Sequence, residues 1–109
     1  MSDFQTEAEF AKNVNTKFRV DLEESGHLDL KLVSVTPRKI DPTEQAGMER
    51  FSAVFSGPLD VLLPQRTYHM THPEMGEFDI FLVAVAQESD GYRYEAVYNY
   101  YKSTAQQAN

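Results

Sequence analysis

The side chains best suited to chemistry in this sequence are two histidines standing three apart, His69 and His72, with the carboxylates Glu74 and Glu77 just beyond them. Two imidazoles and one carboxylate, His69, His72 and Glu74, make a possible three-ligand metal set that would leave a position open for water. Their spacing argues the other way. On a helix, residues three apart share a face, whereas on a strand they point to opposite sides. Tyr68 and Met70 alternate with His69 and Thr71, which is the period of a strand. The sequence therefore expects His69 on the surface and His72 in a polar turn before Pro73, and no bound metal or cofactor. His27 falls in a hairpin turn.

Other catalytic patterns are weaker still. Glu74, Glu77 and Asp79 could act as paired carboxylates only if a cleft held them in fixed separation, and they border a turn. Ser52 and Ser56 lack the flanking glycines of a nucleophile elbow. There is no phosphate loop, dinucleotide glycine pattern or zinc-protease helix. The chain has no cysteine, which excludes a disulfide framework and a thiolate site. A non-enzymatic role is the expectation.

The aromatic residues near the C-terminus offer a different kind of site. Tyr92, Tyr94, Ala96, Tyr98 and Tyr100 share one face of a strand, and Arg93, Glu95, Val97, Asn99 and Tyr101 the other. Tyr92 and Tyr94 are read as core. Tyr98, Tyr100 and Tyr101 are the candidate protein-contact residues, because tyrosine is enriched at binding hot spots.

At 109 residues the chain is read as one domain, 1–109, able to bury roughly two-thirds of its unfolded surface. Seventeen acidic against ten basic residues give a net charge of −7, spread along the chain. That charge disfavours nucleic acid and anionic membrane as partners, since phosphate binding needs clustered Lys and Arg, and neither is expected. The N-terminus lacks a signal-peptide pattern, and the longest apolar run, Ile80–Ala86, is too short to span a bilayer. A soluble, cytoplasmic protein is expected.

The elements that must position these residues follow from hydrophobic period. Residues 3–14 carry Phe4, Ala8, Phe10, Ala11 and Val14 on one helical stripe, with Ser2 as cap and Gln5 at capping-box distance. From residue 16 the period becomes two. Phe18, Val20 and Leu22 alternate, then Leu28, Leu30 and Leu32, after which Val33 and Val35 shift the apolar face by one, as a bulge would. A polar connection follows from Pro37 to Gly47. Phe51, Ala53 and Phe55 mark the next strand. The apolar, proline-flanked Leu59–Gln65 reads as a buried crossing segment or a short helical turn. Strands at about 66–72, 77–86 and 92–101 complete the count, and 103–109 reads as a frayed tail. Ile80–Ala86, apolar on both faces, must be covered on both sides. The expected fold is mainly β: a six-stranded antiparallel barrel (16–101) or tight sandwich, with one N-terminal helix.

Several stretches resemble a family of small, uncharacterised bacterial β-domains. They begin with Phe10 and Phe18 and continue through Phe51–Pro58, Leu63–Tyr68, His72–Gly76, Phe81–Val83 and Asp90–Asn99. That family tends to carry proline then glycine near positions 84 and 86, where this chain has Ala84 and Ala86, and glycine near Asn15 and Arg66. The resemblance implies no catalytic residues. It implies an accessory role beside phage-tail-like fibre and collar proteins. The expected function is a protein–protein interaction or accessory structural module that contacts another protein or itself. A barrel binding a small ligand is the second reading and a metal-dependent enzyme the third.

Overall fold

The computed structural model describes residues 5–37 and 48–101. Helix α1 spans Glu7–Lys12. It is shorter than the 3–14 expected from the apolar stripe, and its cap is Thr6 rather than Ser2, which lies outside the described residues. The Thr6 hydroxyl accepts from the Glu9 N–H, and the Glu9 carboxylate accepts from the Thr6 N–H, both at 3.1 Å. Six residues cannot hold a helix alone in water. The anchor is Phe10, its one buried side chain. That ring lies 5.5–6.3 Å from the rings of Phe18, Phe51, Phe55, Phe78 and Tyr98, within the range of favourable aromatic pairing.

Six strands follow: β1 (Lys17–Asp21), β2 (His27–Pro37), β3 (Met48–Gly57), β4 (Arg66–His72), β5 (Gly76–Glu88) and β6 (Gly91–Tyr101). All pair antiparallel in the order β1-β2-β3-β6-β5-β4, and β1 pairs with β4 to close a barrel. The barrel is thus the realised form of the two architectures expected. The shift of apolar face after Leu32 is a register shift between Leu32 and Ser34. A second lies between Ala84 and Ala86, where the resembled family tends to place proline and glycine. Asn15, where that family tends to have glycine, turns the chain into β1 with φ +74°.

Alternation sends one residue of each pair inward. Phe18, Val20, Leu30, Leu32, Phe51, Ala53, Phe55 and Met70 are wholly buried, with Ile80, Leu82 and Tyr94 nearly so. Each such large side chain contributes ~1.5–3 kcal/mol by leaving water. The interior is filled with side chains, many of them aromatic.

Leu59–Gln65 forms neither helix nor strand, which corrects the helical-turn reading. It crosses with Leu63 buried but Leu59 and Leu62 exposed. Tyr94 holds it: the Leu63 N–H donates to the hydroxyl at 3.0 Å, and the hydroxyl donates to the Val61 carbonyl at 3.3 Å. Nearby, the β6 start passes so close to the β3 end that a Cβ on Gly91 would lie 2.3 Å from the Gly57 carbonyl oxygen. Only glycine fits there. Among the described residues, no helix is long and apolar enough to cross a membrane. The expected tail, 103–109, and most of the polar connection, 38–47, lie outside the described residues.

Candidate functional site

The barrel wall separates the two histidines. His69 and Met70 are neighbours on β4, so His69 faces outward while Met70 and His72 face inward. Register places His69 opposite Asp79, with Glu77 two residues along β5. His69 Nδ1 lies 3.0 Å from Asp79 and Nε2 lies 3.0 Å from Glu77. Hydrogen bonds to Asp79 and then Glu77 raise its pKa above the ordinary histidine value. Of the three carboxylates weighed, Glu74, Glu77 and Asp79, the last two thus clasp one exposed imidazole, with both open to solvent. Such exposed ion pairs contribute little to stability.

His72 is buried rather than in a solvated turn, which corrects the sequence expectation. Its ring lies 4.2 Å from that of Phe18. Nδ1 accepts from the N–H groups of Glu74 (3.0 Å) and Met75 (3.3 Å). Nε2 lies 2.9 Å from the Thr16 hydroxyl, which donates its own proton to the Asn13 carbonyl at 2.6 Å. Nε2 must therefore carry the ring hydrogen and donate it to Thr16. Burial lowers the His72 pKa, and the charge of Glu74 opposes that shift only in part. His72 is a structural tie between the α1–β1 junction and the β4–β5 turn.

His69, His72 and Glu74 are not brought to one point. His69 is outside the barrel, His72 inside, and Glu74 meets His72 through its backbone N–H. Among the described residues, no group of three or more His, Cys, Asp or Glu is placed to hold a metal ion.

Tyr98, expected as a contact residue, packs inward. Its ring stacks on Phe51 at 4.8 Å with an interplanar angle of 3° and touches Phe10. Its hydroxyl is buried and has no hydrogen-bond partner among the described residues. Burial pushes its pKa well above the usual phenol value. Tyr100 and Tyr101 continue β6 opposite Glu49 and Met48, and their side chains lie outside the described residues.

The outer surface holds what the tyrosine pattern missed. Phe81 and Val85 on β5 and Val97 on β6 are each about half exposed, at 49%, 51% and 46%. Leu62, at 56%, borders a groove with Val83 and Ala84. The sequence signal for this surface was the two-sided apolar run Ile80–Ala86: Ile80 and Leu82 are buried, Val83 is half-buried, and Phe81, Ala84, Val85 and Ala86 are exposed, which corrects the expectation that the run is covered on both sides. Such a patch of outward apolar residues on neighbouring strands is the kind of surface that marks interaction.

Residues 5–98 match the family described as Domain of unknown function (DUF6916). No curated protein and no solved structure matches the chain.

Proposed function

The chain belongs to the DUF6916 family, whose description assigns no activity, and from that premise we propose that it is a non-enzymatic docking module working through protein–protein contact. One observation carries this reading: the interior is already filled, while Phe81, Val85, Val97 and Leu62 are left outside on and beside β5 and β6. An apolar side chain in water gains on being covered, ~25 cal/mol for each Å². A rigid barrel presenting such residues is preorganised for binding, since little side-chain or backbone freedom is lost on docking. The role implied by the resemblance, an accessory chain in a phage-tail-like assembly, is compatible with a rigid module of this kind.

Site-specific photo-crosslinking in the native cell tests it. A photoreactive residue at Phe81 or Val97 should yield one shared crosslinked product, identified by mass spectrometry. The same residue at Asp29, on β2 across the barrel, should not. Equal crosslinking from all three positions, or none from Phe81 and Val97, would overturn the proposal.

A further inference from the structure

We infer that the exposed edge of β5, Val83–Glu88, pairs with the same edge of a second copy, antiparallel about a two-fold axis. This rests on the docking reading and names its partner. β4 covers β5 only as far as the pair Arg66–Leu82. β5 runs on to Glu88 with β6 on one side. The segment that would continue β4 backward is tied to Tyr94. Among the described residues, no backbone hydrogen bond outside the strand ladders reaches Val83–Glu88. Leu62–Gln65 border Val83 and Ala84 across a groove. The outward N–H and C=O groups of the stretch thus have no backbone partner among the described residues, and such an edge is a template for another strand.

Two features select a second copy as the occupant. The stretch Val83-Ala84-Val85-Ala86-Gln87 is uncharged, so an antiparallel copy brings no like charges face to face. Its ends carry opposite charge: Arg66 stands beside Leu82, and Glu88 closes the strand. Antiparallel pairing about a two-fold axis carries each Glu88 toward the Arg66 of the other copy, twice over. Parallel pairing would set Glu88 against Glu88.

Sedimentation equilibrium over a wide concentration range, with amide hydrogen exchange, tests the inference. The wild type should show a monomer–dimer equilibrium, with Val83–Glu88 gaining protection as dimer forms. Arg66→Glu and Glu88→Arg should each weaken the dimer roughly tenfold or more, because each places like charges together at both ends. The double reversal Arg66→Glu/Glu88→Arg should restore it. Val85→Lys, exposed and outside the core, should abolish it while leaving the circular dichroism spectrum unchanged. A monomer at every concentration, protection confined to another strand, or a double reversal that fails to rescue would each overturn the inference. A monomer that still crosslinks through Phe81 to a different protein sinks the dimer and leaves the docking reading standing. A monomer with no crosslink removes both.

Discussion

Removing the acceptor that His72 provides should destabilise the barrel, and the loss should be visible in the pH dependence of folding. His72→Leu keeps apolar volume but leaves the N–H groups of Glu74 and Met75 without their acceptor. Each orphaned donor costs ~1–3 kcal/mol, and the turn lies near enough to water to favour the lower half of that range. A loss of about 2–4 kcal/mol follows. His72→Asn places an amide oxygen where Nδ1 sits and should lose about half as much. The folded-state pKa of His72 lies below its ordinary value of 6.5. The unfolded chain therefore takes up the proton first as pH falls. The stabilisation is fully present above pH 6.5 and is lost as pH falls from there through the folded pKa, with a limiting slope of ~1.4 kcal/mol per pH unit. Urea unfolding followed by circular dichroism between about pH 5 and pH 7.5 measures this. A His69→Gln background removes the opposing contribution of the exposed histidine. The same pH slope in His72→Leu as in the parent, or a parent that gains stability as pH drops below 6.5, would refute the assignment.

Tyr98→Phe removes a buried hydroxyl that has no partner among the described residues while keeping the ring on Phe51, so the variant should be as stable as the parent or up to ~1 kcal/mol more so by urea unfolding. Gly91→Ala forces a methyl against the Gly57 carbonyl, a backbone atom that cannot turn aside, and should cost about 2–3 kcal/mol in the same measurement.

Much of this fold was legible because period and parity are local. The alternation of Phe18 with Val20, and of Leu30 with Leu32, fixes which side chains face inward whichever strands become neighbours. The shift at Val33, the separation of His69 from His72 and the six-strand count come from the same rule. The N-terminal helix was harder. Its apolar stripe extends past its real limits, and the Thr6–Glu9 capping box sets the start.

The sequence by itself determined the strands, their faces and the lack of any diagnostic catalytic motif, since each depends on residues a few positions apart. Tertiary structure decided what those faces meet. It placed His72 under the α1–β1 junction, where three hydrogen bonds fix its tautomer, and stacked the Tyr98 ring on Phe51. It also left the last six residues of β5 beyond the reach of β4. The physical reason is that strand period says which way a side chain points, whereas burial and edge exposure depend on register between strands distant in the chain.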